Sequence, residues 1–185
     1  MKALITGISG FVGSHLAEYL LNSRSWQVAG TVFGPAQNIE HIQSHLELHP
    51  LELSELDTVV RLLEQSKPDY IFHLAAQPLV SLSYKDPWPT LSNNIRLQLN
   101  FLEAIVRTGI SARLLVVGSS EEYGLVYPDE IPVGEANPFR PLSPYAVSKI
   151  AQDMLGLQYH LSSNLDVVRV RPFNHIGPRQ GLGFV

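Results

Sequence analysis

Short apolar runs alternate with longer stretches of helical spacing along this chain. The runs are KALIT (2–6), QVAGTV (27–32), YIFHL (70–74), RLLVV (113–117) and DVVRV (166–170), with a weaker one at Leu46–Leu48. Segments this short and apolar on both faces suit strands buried inside a parallel sheet. Between them, apolar residues recur every three or four positions. They do so from Phe11 to Leu21, at Leu56, Val59, Val60 and Leu63, at Leu91, Ile95, Leu99, Leu102 and Val106, and at Ala146, Ile150, Met154, Leu157 and Leu161. That spacing predicts one buried helix face each. The strand-helix alternation predicts an α/β fold, a doubly wound parallel sheet with right-handed crossovers and helices on both faces. A chain of 185 residues suits one such domain, residues 1–185.

Composition narrows the function classes. Apolar residues make up 45% and charged residues 16% of the chain, and no segment approaches the ~18 uninterrupted apolar residues of a membrane span. After MKALITGISG no cleavage-site pattern follows, so no export signal is expected and a cytoplasmic setting is the default. Without cysteine there are no disulfides and no thiolate metal ligands. A net charge of −4 argues against nucleic acid as a partner. From Arg140 onward, however, Arg140, Lys149, Arg169, Arg171 and Arg179 outnumber Asp153 and Asp166. An anionic small molecule could sit there, or these could be solvated surface charges. His41, His45 and His49 are spaced four apart as zinc ligands on a helix would be, but Pro50 and the LEL pattern break that phase, so no metal site is expected. Five prolines between Pro128 and Pro144 predict a stiff loop at the carboxyl end of the fifth strand, where α/β folds place ligands.

Two motifs carry chemistry. Gly7, Gly10 and Gly13 lie between the first strand and the first helix, whose opening includes Phe11 and Val12. Glycines there permit a tight turn, let backbone N–H groups approach a pyrophosphate, and bring the helix close to the sheet, the arrangement of a Rossmann dinucleotide site. A tight turn alone would use the same residues. In SPYAVSK (143–149), Tyr145 and Lys149 are four residues apart and share a helix face. A free phenol has a pKa of about 10. A neighbouring ammonium should favour phenolate and draw the phenol toward the working range of a proton-transfer group. In isolation such a pair would more often be a surface tyrosine beside a solvated lysine.

Taken with HLAA (73–76), GSSEEYG (118–124) and RPFNHIGP (171–178), these motifs resemble, in order and over essentially the whole chain, the extended short-chain dehydrogenase/reductase family, the NAD-dependent epimerases and dehydratases that modify nucleotide sugars. Within it the chain most resembles the GDP-4-keto-6-deoxy-mannose reductases. The related GDP-mannose 4,6-dehydratases carry a GQDGS first loop that is absent here. The resemblance implies catalytic roles for Ser119, Tyr145 and Lys149, with Ser119 a hydrogen-bond partner of the reacting oxygen. Glu121 matches an acidic position that dehydratases use in water elimination. Cofactor contacts are implied at Gly7, Gly10, Phe11, Val12, Gly13, at Glu52 and Leu53 near adenine, at Leu74, Ala75 and Ala76, at Tyr145 and Lys149, and at Pro172. Asn94 matches a family asparagine. Asn174 matches a contact to the substrate's diphosphate, with Arg179 and His175 as second contacts.

The expected function is NAD(P)-dependent reduction of a 4-keto nucleotide sugar. A nucleotide-sugar dehydratase or 4-epimerase, or a dinucleotide-binding module without catalysis, remains open. Choice between NADP and NAD is also open. The resemblance leans to NADP, yet Phe33 stands at the end of the second strand where a carboxylate or an arginine would decide. A homodimer is implied for the whole protein. The apolar end at Phe184 and Val185, with family members continuing into a substrate domain, suggests a fragment in which residues 172–185 begin the substrate-binding portion.

Overall fold

A computed structural model describes residues 1–181 and 183. Phe184 and Val185 lie outside the described residues. The elements run β1 (Lys2–Thr6), α1 (Phe11–Arg24), β2 (Gln27–Val32), a 3-10 segment (Gln37–His45), β3 (Leu46–Pro50), α2 (Leu56–Ser66), β4 (Tyr70–His73), α3 (Val80–Lys85), α4 (Pro87–Thr108), β5 (Arg113–Val117), two short 3-10 turns (Ser120–Glu122 and Pro128–Glu130), α5 (Pro144–Ser163) and β6 (Val167–Val170). All strand pairs are parallel, in the order β3-β2-β1-β4-β5-β6.

Strand alternation sorts the apolar residues onto two faces. Leu4, Ala29, Ile71, Leu114 and Val116 face α2, α4 and α5 in one core with Phe101 and Leu102. Ala3, Ile5 and Val28 face α1 in the other, with Ala17, Leu20 and Ile39. Sheet order reverses direction at β1 and β4. The chain leaves these adjacent strands toward opposite faces, which opens a crevice at their carboxyl ends. Helix α5 starts with Ser143 as N-cap, its side chain accepting the Ala146 N–H at 3.0 Å, and Pro144 follows in the first turn. This start places Tyr145 at the sheet's carboxyl edge.

All six strands and four long helices fall where the periodicity predicts them, with differences at the ends. β4 stops at His73 because the next two N–H groups, of Leu74 and Ala75, bond the Thr6 hydroxyl at 3.0 and 2.9 Å instead of a strand. β6 begins at Val167, one residue late. β3 extends to Pro50, which is tolerated because the strand is at the sheet edge. α3 and the 3-10 segment are too short to leave a periodic signal. That segment holds His41 and His45, while His49 lies on β3. His41 pairs with Glu18, His45 sits beside Ser44, and His49 pairs with Glu47. Among the described residues, no helix is long and apolar enough to cross a membrane.

Phe101 is fully buried between α4 and the sheet, with its ring centroid 5.0 Å from that of His73. Phe101→Ala should lower the unfolding free energy by about 3–5 kcal/mol, read from urea denaturation of this chain.

Candidate active site

The first wall of the crevice is the glycine turn. Gly10 N donates to Gly7 O at 3.0 Å, and Gly7 N donates to Thr31 Oγ1 at 3.2 Å. A Cβ on Gly13 would collide with the Gly7 carbonyl and come within 2.8 Å of Ile8 Cα, so only glycine lets α1 start this close to β1. No side chain caps the start of α1, and no acid lies in its first turn. The N–H groups of Phe11, Val12 and Gly13 therefore have no carboxylate competing for them, and the helix dipole favours an anion there. This cradle fits the pyrophosphate of a dinucleotide.

Thr6 stitches the second wall. Its hydroxyl oxygen accepts from Leu74 N and Ala75 N and lies 3.0 Å from His73 Nδ1. With two N–H groups pointing at that oxygen, the single hydroxyl proton goes to Nδ1, so the neutral imidazole carries its own proton on Nε2. Burial, and secondarily the Lys149 charge, pushes His73 down to about 3, which keeps it neutral. The segment Leu74 to Ala76 is held beside the glycine turn in consequence. Asn94 holds the next stretch. It accepts from Gln77 N at 2.7 Å and donates to Gln77 O at 3.2 Å and to Ser148 Oγ at 3.0 Å, tying the loop after β4 to α5. Leu53 is buried, its carbonyl accepting from Asn100 Nδ2 at 2.8 Å, while Glu52 is exposed beside it. At the end of β2, Phe33 is 81% exposed.

Ser119, Tyr145 and Lys149 meet at the carboxyl end of β5. Lys149 is 5% exposed and Tyr145 9%. The Lys149 ammonium donates to Val117 O at 2.9 Å and lies 5.9 Å from the centre of the Tyr145 ring. Burial lowers Lys149 to about 8 against the opposing charge of Glu122. Tyr145 moves the other way, up to about 12. Burial is the largest cause, Ser119 lowers it as a hydrogen-bond partner, and Glu121 and Glu122 raise it by their charge. The expectation that the ammonium draws the phenol toward neutral pH is therefore corrected. Desolvation and the charges of Glu121 and Glu122 outweigh the Ser119 hydrogen bond, so the phenol is pushed up rather than down. The Ser119 hydroxyl, the hydrogen-bond partner of Tyr145, also accepts from Glu121 N at 3.2 Å.

Comparison with known proteins sets this geometry in a lineage. The family model described as GDP-mannose 4,6 dehydratase matches residues 4–185. This chain belongs to the GDP-mannose 4,6-dehydratase family. It is 35% identical, over 100% of its length and 55% of the relative's, to the GDP-6-deoxy-D-mannose reductase of Pseudomonas aeruginosa. It is 37% identical, over 100% of its length and 52% of the relative's, to the GDP-mannose 4,6-dehydratase of Yersinia enterocolitica. Among solved structures, RMD from Pseudomonas aeruginosa complexed with NADPH superimposes with a TM-score of 0.82 at 36% identity, over 100% of this chain and 56% of that one. The chain spans about half the length of the curated relatives it matches.

In this family member the segment after β6 divides. Pro172 O accepts from Ser120 N at 2.9 Å, which puts Pro172 against the Ser119 loop. Phe173 stacks on Tyr123 at 6.4 Å, and Asn174 is exposed beside it. His175 packs toward Phe11, with ring centroids 5.9 Å apart. Arg179 packs against α1, where it donates to Glu18 at 2.7 and 2.8 Å and to Asn38 O at 3.2 Å. The Arg179 hydrogen bond is the largest cause holding Glu18 down at about 2.

Sequence reasoning missed the charges beneath Ser119. Glu122 is fully buried, its Oε1 accepting from Ser119 N at 2.8 Å and its Oε2 from Arg171 Nε at 3.1 Å. Arg171 Nε also donates to Asp153 Oδ2 at 2.7 Å, and Asp153 pairs with Arg169 as well. Asp153 stands four residues after Lys149, and that helical spacing was the available signal. Burial, with Asp153 adding to it, pushes Glu122 up to about 7 from its ordinary 4.5. A raised carboxyl contributes stability that is complete below 4.5 and is lost as pH rises through about 7. His73 acts oppositely, its contribution present above 6.5 and lost as pH falls toward about 3. Glu122→Gln should therefore gain melting temperature relative to the wild type between pH 5 and pH 8, roughly the window in which this carboxyl ionises. A difference that stays flat with pH in circular-dichroism melts would contradict it.

Proposed function

We propose that this chain is the cofactor-binding and catalytic portion of an enzyme that uses NADP(H) or NAD(H) to reduce a 4-keto nucleotide sugar, with GDP-4-keto-6-deoxy-mannose as substrate. The observation that carries the reading is Tyr145, buried beside the Lys149 ammonium at the carboxyl end of β5 with Ser119 as its hydrogen-bond partner, where burial pushes the phenol up to about 12. Reducing a ketone needs a proton delivered to its oxygen, and a protonated phenol supplies it. Bound in the crevice, the nicotinamide would supply the hydride. Tyr145 donates its proton to the carbonyl oxygen, and Ser119 donates a hydrogen bond to the same oxygen. Lys149, held by Val117 O, keeps two further N–H donors for the ribose hydroxyls and offsets charge developing on Tyr145. Gly7 to Gly13 would hold the pyrophosphate, Leu53 and Leu74 to Ala76 would flank the adenosine and ribose, Pro172 would flank the nicotinamide ring, and Asn174 would meet the sugar diphosphate.

The relatives' names support both the sugar class and the guanine base, and the NADPH complex of the Pseudomonas protein supports the cofactor. At the end of β2 no carboxylate stands to repel a 2′-phosphate, which also favours NADP(H). A second reading, a 4,6-dehydratase, draws on Glu121, whose charge reaches Tyr145 and places a carboxylate beside the phenol.

Two measurements separate these readings. Given GDP-4-keto-6-deoxy-mannose and reduced cofactor, the whole protein should consume NADPH in proportion to product. A dehydratase given GDP-mannose would convert it with no net cofactor change. Tyr145→Phe in the whole protein should cut turnover by about 10²–10⁴-fold, the usual share of a general acid, with cofactor affinity nearly unchanged by tryptophan fluorescence titration. Unchanged turnover would remove Tyr145 from the mechanism.

A further inference from the structure

We infer that Glu122 is a positioning residue: its buried carboxyl clamps the backbone of Ser119 and ties that residue, through Arg171 and Asp153, to the helix that carries Tyr145 and Lys149. The clamp is built from both sides of the 3-10 turn. Glu122 Oε1 accepts from Ser119 N at 2.8 Å while Ser119 Oγ accepts from Glu121 N at 3.2 Å, so the main chain and the side chain of Ser119 are each held. Gly118 makes room for this. A Cβ there would collide with Glu122 Oε1, and any larger residue would expel the carboxyl from its place against Ser119 N. The turn is anchored to the sheet by Gly118 N to Val170 O at 2.7 Å and Ser120 N to Pro172 O at 2.9 Å.

From the carboxyl the path runs outward through charge. Arg171 Nε bridges Glu122 Oε2 at 3.1 Å and Asp153 Oδ2 at 2.7 Å, and its other arm donates to Tyr123 Oη at 3.2 Å and Glu135 O at 3.1 Å. Asp153 lies one turn along α5 from Lys149. The groups facing Glu122 are thus Asp153 and Lys149 from α5, with Tyr145 on the same helix, Arg171 from the segment after β6, Glu121 in its own turn, and Arg169 and Tyr123 through their partners. Buried ion pairs are poor stabilisers compared with apolar side chains of the same volume. What an apolar side chain could not reproduce at this position is an acceptor for Ser119 N.

The kinetic part of the test rests on the proposed reduction, whereas the spectroscopic part does not. In the whole protein, Glu122→Ala should lower kcat by about 10–100-fold with KM little changed, the size expected when a reacting group is displaced by a fraction of an ångström. Glu122→Gln, which keeps an acceptor for Ser119 N, should restore most of that loss and remove the dependence of kcat on this carboxyl's ionisation. In 15N-labelled chain, the Ser119 amide proton should shift with pH in the wild type and stay fixed in Glu122→Gln. Wild-type kcat in a folded Glu122→Ala protein, or a Ser119 amide indifferent to both pH and the substitution, would overturn the assignment. If Glu122→Ala does not fold, the glutamine variant and the amide titration decide. If no reduction is seen at all, the proposed function fails while the amide titration still judges Glu122.

Discussion

The ammonium of Lys149, buried and donating to the last carbonyl of β5, is the contact on which the rest of the crevice depends. Removing such a charge from water costs several kcal/mol after relaxation. One carbonyl and the field of Glu122 offset part of this, and the remaining cost appears as a pKa lowered to about 8. The bond ties α5 to the carboxyl end of β5, two residues before Ser119. The same charge reaches the opposite wall, where it adds to the desolvation that keeps His73 neutral and bonded to Thr6.

Around that cation the titratable groups move toward their neutral forms, as burial dictates. Tyr145 rises, Glu122 rises and His73 falls. The site therefore holds a proton on the phenol, and the carboxyl beneath Ser119 readily takes one up. Arg171 prevents collapse of the two acids, Glu122 and Asp153, into mutual repulsion, and its guanidinium lies over the rings of Tyr123 and Phe139 at 5.6 and 4.7 Å. The geometry of Ser119, Tyr145 and Lys149 and the electrostatic balance around them have one origin, a set of charges packed against the carboxyl end of β5.

Where elements are regular and locally encoded, the amino-acid pattern foretold them. Strand runs, helix faces, the glycine turn at the start of α1 and the Tyr145–Lys149 pair on α5 each depend on residues a few positions apart. Where the outcome depends on long-range encounter, the pattern was silent. Nothing in the spacing marks Glu18 as the partner of Arg179, distant in the chain. Glu122 looks like any acid in a polar turn until β6 brings Arg171 against it.

The sequence by itself determined the alternation of elements, the doubly wound sheet, and which side chains could bind an anion or transfer a proton, because periodicity and short motifs act through neighbours on one strand or helix. Only the tertiary structure decided the protonation of those side chains and the partners they hold. A pKa is set by desolvation and by charges that approach from other elements, and neither exists until the sheet and helices close around them.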